Sequence, residues 1–173
     1  MKKIIIVVAI TVCLFSTLKS EVITIPKESI RFRVIANSNS EEDQNIKKEI
    51  VKNIATELKN IELVPKDLVS TRNIIKKNIP VLRKSVEDTL KELNVQQDFN
   101  INYGMNYFPQ KENNGVIYEE GEYESIVISL GNGKGDNFWC VLFPPLCLLE
   151  GESTETDDVE YTSFIKEIIN KYF

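Results

Sequence analysis

Residues 138–147 read FWCVLFPPLC, a run with almost no polar side chain that holds the chain's single tryptophan, two of its three cysteines and its one Pro-Pro pair. An apolar run of this length would suit a central strand, but adjacent prolines cannot sustain ladder pairing and are confined to edges, ends or bulges. The segment must therefore turn, and Cys140 and Cys147 are placed to close that turn. It reads as an apolar loop able to touch a partner through Phe138, Trp139, Val141, Leu142, Phe143, Pro144, Pro145 and Leu146. The competing reading is a lid folded inward on the protein's own sheet.

Whether the two cysteines pair depends on the compartment. Met1-Lys2-Lys3 is a basic start, and residues 4–18 are apolar and uncharged, of signal-peptide length and short of the roughly 20 residues that span a bilayer. Export is therefore expected. Cleavage after Ser20 would put Leu18 where a small residue is preferred, so retention as an anchor is the alternative. Cys13 lies inside the apolar leader behind Val12, where a lipoprotein signal has a small residue, and reads as filler. Cys140 and Cys147 then remain as an even pair in an oxidising space, where a disulfide is the default. So short a ring contributes only about 2–3 kcal/mol on the chain-entropy account, so its main effect would be to shape the loop. The spacing is not Cys-x-x-Cys, and a two-thiolate zinc site would need further ligands.

Histidine cannot supply them, because the chain has none. That composition excludes Ser-His and Cys-His nucleophile pairs and His-ligated metals, leaving carboxylate, lysine or tyrosine chemistry. Setting aside Lys2, Lys3 and Lys19 leaves 18 basic against 26 acidic residues, a formal charge of −8. So acidic a domain is not built to hold nucleic acid. No cofactor, metal or small-molecule substrate is expected either. About 150 residues after the leader suffice for one self-sufficient core.

The organisation reads as a leader (1–20), a lead-in (21–29), one domain (30–149), an acidic linker (150–160) and an amphipathic helix (161–173). Ile30, Phe32, Val34 and Ala36 alternate onto one face of a strand. Arg31 and Arg33 share the other face, where solvation or pairing with acidic side chains is favoured over binding an anion. Ser40 with Asp43 approximates a capping box, opening a helix whose stripe is Ile46, Ile50, Ile54, Leu58 and Ile61. A second helical region, from Asp67 or Ser70 to Leu93, carries Leu68, Ile75, Ile79, Leu82, Val86, Leu90 and Leu93. Pro80 is expected to kink it or divide it near Ile79. Phe99, Ile101, Tyr103, Met105 and Tyr107 alternate along a strand, and Ile126, Ile128 and Leu130 along another, which suggests an antiparallel hairpin. Glu150 to Glu160 lacks the residue order of an EF-hand loop and reads as a solvated linker. In the last segment Tyr161, Phe164, Ile165, Ile168, Ile169 and Tyr172 form an apolar face for the sheet, a membrane surface or a partner helix. The fold class is α+β, a mainly antiparallel sheet with two long helical regions and a C-terminal helix packed on it.

Gly131-Asn132-Gly133-Lys134-Gly135 follows the second long strand. The spacing fits neither a Walker A loop nor a dinucleotide fingerprint, so it reads as a flexible turn presenting the next segment. This turn together with 121–125 (GEYES) and 136–147 (DNFWCVLFPPLC), and 31–40 (RFRVIANSNS) with Asp43-Gln44, closely resembles the stage II sporulation protein R family of endospore formers. The resemblance covers roughly residues 30–149 in order, with Phe138 where a second tryptophan is expected. It implies a protein exported from the forespore into the space between forespore and mother-cell membranes. Its partner there would be a membrane-embedded aspartic-type protease that matures a mother-cell sigma-factor precursor. The apolar loop would dock on the extracytoplasmic part of that protease or at its membrane edge. The alternatives are an exported hydrolase of cell-wall or peptide material, using Glu119 with Glu122 or Glu124, and a structural envelope protein.

Overall fold

The computed structural model describes residues 23–61, 67–113, 116–146, 169 and 171. The leader, the acidic linker, Cys147 and most of the expected C-terminal helix lie outside them.

Strand β1 (Ile23–Thr24) precedes β2 (Ile30–Ile35), after which Ser40 caps helix α1 (Glu41–Asn60). The cap is only half of the expected box. Ser40 Oγ accepts from the Asp43 amide at 3.2 Å, but the Asp43 carboxylate turns away to Asn37 and Ser38, and Ser38 Oγ takes the Ser40 amide at 3.1 Å. Ile46, Ile50, Ile54 and Leu58 form the buried stripe as the periodicity predicts.

Asp67 caps α2 (Leu68–Glu92), its carboxylate accepting from the Ser70 amide at 2.8 Å. Of the two outcomes expected at Pro80, a kink or a division, the division does not occur: α2 runs through Pro80 as one helix. Lys76 and Pro80 are both exposed, so the carbonyl that loses its helical donor faces water rather than the core. Leu93, assigned above to the core stripe, is the C-cap and 40% exposed. Asn53 Nδ2 donates to Thr89 Oγ1 at 2.8 Å where the two helices meet.

The chain then lays down β3 (Phe99–Phe108), β4 (Lys111–Asn113), β5 (Val116–Tyr118), β6 (Gly121–Leu130) and β7 (Asn137–Phe143). Strands β3 and β6 pair antiparallel from Phe99↔Leu130 to Phe108↔Gly121, so the long hairpin is present. The sheet is mixed, with two antiparallel pairings and one parallel pairing. Its order is β3-β6-β2-β7, and β2 runs parallel to β6 and antiparallel to β7. Parallel neighbours need a crossover, and α1 and α2 are part of the long connection that supplies it. A second, three-stranded sheet of order β1-β5-β4 uses the connection between β3 and β6.

Two layers cover the four-stranded sheet. On one face Phe32, Val34, Ile126, Ile128, Leu130, Cys140 and Leu142 pack into the core that includes the stripes of both helices. On the other, Val141 joins Ile25, Val116, Tyr118 and Leu146 in a smaller cluster, with Trp139 and Ile169 against it. Residues 169 and 171 are helical. Strand β3 departs from the expected burial. Ile101 is buried, but Met105 and Tyr107, on the same face, are 63% and 56% exposed, while Phe108 on the other face is fully buried.

Candidate functional site

The two signature segments meet where β2 and β6 end. Beyond β2, Asn37 Oδ1 accepts from the Asn132 amide at 2.9 Å, and the Asn37 carbonyl accepts from the Lys134 amide at 3.1 Å. The Gly135 amide donates to the Ala36 carbonyl at 2.8 Å, and the Asp136 amide to Asn39 Oδ1 at 2.6 Å. Lys47, from the second turn of α1, donates to the Asp136 carbonyl at 3.0 Å. The glycine-rich turn is thus pinned rather than flexible. Gly131 and Gly133 take φ of +50° and +60°, the left-handed region that glycine enters at little cost.

Beside this corner lies an open pocket of about 600 Å³, lined by Asn37, Asp43, Gln97, Asp98, Gly131 and Asn132 among others. Its wall includes Glu42, Asp43 and Asp98 and no lysine or arginine, which does not suit an anion. The Ser38 hydroxyl, with smaller help from Asn37 and Ser40, holds the Asp43 carboxyl below its usual pKa. A depressed carboxylate contributes stability that is present above its unfolded pKa, about 4, and is lost as pH falls through the folded value. Asp43→Asn is therefore expected to flatten the acid limb of the stability curve below about pH 4, which urea midpoints from pH 2 to 7 would measure. Parallel wild-type and Asp43→Asn curves would remove the linkage.

On the sheet face away from the helices lies a layer of cations and rings. Arg31 is 1% exposed. Its Cζ stands 3.3 Å from the Tyr123 ring centroid, 5.5 Å from that of Phe108 and 5.7 Å from that of Tyr118. Nη1 donates to the Glu119 carbonyl at 3.3 Å, while Nε and Nη2 have no hydrogen-bond partner among the described residues. Solvation or acidic pairing of Arg31, as read from the sequence, is corrected here: the second sheet covers it and aromatic faces surround it. Burial lowers its pKa from the usual arginine range. Arg33 lies 5.7 Å and Lys111 5.3 Å from the Trp139 ring. Trp139 in turn meets Phe108 edge-on at 5.1 Å and Tyr118 at 6.2 Å.

The segment expected to be an apolar loop is strand β7 followed by a turn at Pro144-Pro145. As an edge strand it satisfies the constraint set by the proline pair. Phe138 and Trp139 are half-buried and point to opposite faces, Phe138 meeting Phe32 at 6.3 Å on the helix side. Val141, Leu142, Phe143, Pro144, Pro145 and Leu146 are all buried. Of the two readings of this segment, residues 141–146 follow the inward one, because β7 contributes to both cores. Cys140 is buried.

The carboxylates weighed for hydrolysis sit in different settings. Glu124 is engaged by Arg72 of α2 at 2.7 Å and by the Tyr103 hydroxyl, whereas Glu119 and Glu122 are exposed. Burial, then the bond to Glu124, raises the Tyr103 pKa beyond the usual tyrosine range. Sequence reasoning missed this Arg72-Glu124-Tyr103 group, although Glu124 on the face of Ile126 and Ile128 was a signal that it must find a partner.

Residues 26–153 match the family model described as Stage II sporulation protein R. A curated relative, stage II sporulation protein R of Bacillus subtilis (strain 168), is 36% identical over 141 residues, covering 79% of this chain and 61% of that protein. The chain thus spans about three-fifths of the relative's length. No solved structure matches.

Proposed function

Because this chain belongs to the stage II sporulation protein R family, we propose that it is an exported signal between forespore and mother cell. It activates a membrane-embedded aspartic-type protease, which then processes a mother-cell sigma-factor precursor. The observation that carries this reading is the family match over residues 26–153, which contains both signature segments. The geometry supports a recognition role rather than catalysis, since Asp43, Lys47 and Glu124 are each held by neighbouring groups. In this proposal Cys147 pairs with Cys140 and closes the turn after β7. Trp139, half-buried and flanked by Arg33 and Lys111, would be the member of the β7 segment that touches the receptor. Residues 141–146 then serve to hold it.

The test is reconstitution. Protein added outside vesicles or cells that carry the protease is expected to trigger precursor processing at saturable, stoichiometric doses. A hot-spot contact is worth about 2 kcal/mol, so Trp139→Ala is expected to raise the half-maximal dose about thirtyfold while the protein remains folded by circular dichroism. Turnover of peptide or cell-wall material by the isolated protein would overturn the signalling reading.

A further inference from the structure

Strand β3 is an unguarded sheet edge. It is the outer strand of the four-stranded sheet and, among the described residues, pairs only with β6. Its outer row of backbone N–H and C=O groups is a template for another strand. Natural edges are usually protected by charge, proline, a bulge or brevity. From Phe99 to Phe108 β3 has none of these: FNINYGMNYF is ten residues long, contains no charged residue or proline, and pairs with β6 in unbroken register. Among the described residues, only the Gly104 and Tyr107 carbonyls accept side-chain donors, from Asn106 and Arg33.

Two of the most exposed large apolar side chains of the described protein, Met105 and Tyr107, stand on this strand. They flank Glu124, the cross-strand partner of Met105, which ties the sheet to α2 through Arg72.

We propose that β3 is a homodimer interface, on which β3 of a second copy adds antiparallel to make one continuous eight-stranded sheet. Two observations select a second copy as the occupant. The chain carries a net charge of −5, so copies repel except where they approach through an uncharged strip, and β3 is such a strip. The strand is also self-complementary. A two-fold axis normal to the sheet at Asn106 keeps the faces of both copies aligned and sets Met105 of each opposite Tyr107 of the other. Thioether and ring then meet twice, a favourable pairing for methionine. This interface does not depend on the signalling role proposed above.

Asn106→Cys, on the axis, is expected to give a disulfide-linked homodimer of the full chain on non-reducing gels, beyond any background from the unsubstituted chain. Asn100→Cys, exposed on the same strand but away from the axis, is expected to give none. Directly opposed like charges weaken strand pairing and opposite charges restore it. In the Asn106→Cys background, Met105→Lys with Tyr107→Lys should therefore reduce the crosslink at least about tenfold, and Met105→Lys with Tyr107→Glu should recover it. Equal crosslinking at both cysteines, none at Cys-substituted 106 in a chain that keeps its thermal midpoint, or adducts only with a different protein would each overturn the proposal.

Discussion

Gly135→Ala is expected to lower stability by about 3 kcal/mol, the upper end of what overpacking usually costs, with a fall in Tm of roughly 10 °C. A Cβ at this position would stand 2.2 Å from the Ser38 carbonyl oxygen, 2.6 Å from its carbon and 2.8 Å from Ala36 Cβ. The first two are backbone atoms, so no side-chain rotation relieves the overlap. The segment cannot retreat either, because Asn37 and Asn39 bind it to the 132–136 turn, which Lys47 of α1 also holds through the Asp136 carbonyl. Moving the turn away instead would break the Gly135–Ala36 and Lys134–Asn37 bonds of 2.8 and 3.1 Å. Gly104→Ala is the matched control: nothing lies within 4 Å of its added methyl group, and its effect should stay within about 0.5 kcal/mol. Urea midpoints of the two variants decide the matter. Equal midpoints would mean that the corner is pliable and that its hydrogen bonds do not hold β7 in place.

Arg31→Ala is expected to cost about 3–4 kcal/mol, because it opens a void between the two sheets and removes a cation centred over a ring. Arg31→Met separates the two contributions. It keeps most of the volume against Phe108, Tyr118 and Tyr123 and drops a charge whose Nε and Nη2 have no acceptor among the described residues. Replacing a poorly compensated buried charge by an apolar side chain of similar size is often neutral or stabilising. Arg31→Met should therefore unfold at a urea midpoint close to wild type, with Arg31→Ala well below both. If Met fell as far as Ala, the charge over the rings, and not the filled space, would be what joins the two sheets.

Much of the framework was legible because local periods are strong. Ile46 to Leu58 marks one helix, Ile75 to Leu90 the other, and β2 and β6 show their buried faces by simple alternation. Three things were not legible, each for a physical reason. The second sheet is made of strands of two and three residues, too short for any period, so nothing in the sequence announced the layer that buries Arg31. The direction of β2 relative to β6 depends on where a long crossover returns, which side-chain patterns do not encode. Composition alone also cannot tell a buried edge strand from an adhesive loop. In Phe138 to Leu146 the informative detail was the place of the proline pair: it lies after Phe143, where it ends a strand, and not within one. For the signature corner, the residues Asn37, Ser38, Asp43 and Gly131 to Asp136 could be singled out, but their mutual bonding requires the β2–β6 adjacency that was not foreseen.

The position of β2 has a kinetic consequence. Among the described strands it is the second made, yet both of its neighbours, β6 and β7, are the last, and its pairing with β7 runs from Ile35↔Asn137 to Ile30↔Phe143. A nascent chain emerging N-terminus first can form α1, α2 and the β3–β6 hairpin from nearby contacts. The central strand must wait about ninety residues for its β6 partner (Arg31↔Ser125) and more than a hundred for β7 (Ile35↔Asn137). Contacts so distant in sequence make folding slow and keep the sheet open until synthesis is nearly complete. Chains stopped before Asn137 would leave one edge of β2 unpaired, with Ile30, Phe32 and Val34 beside it, and are the species that chaperones and proteases would meet.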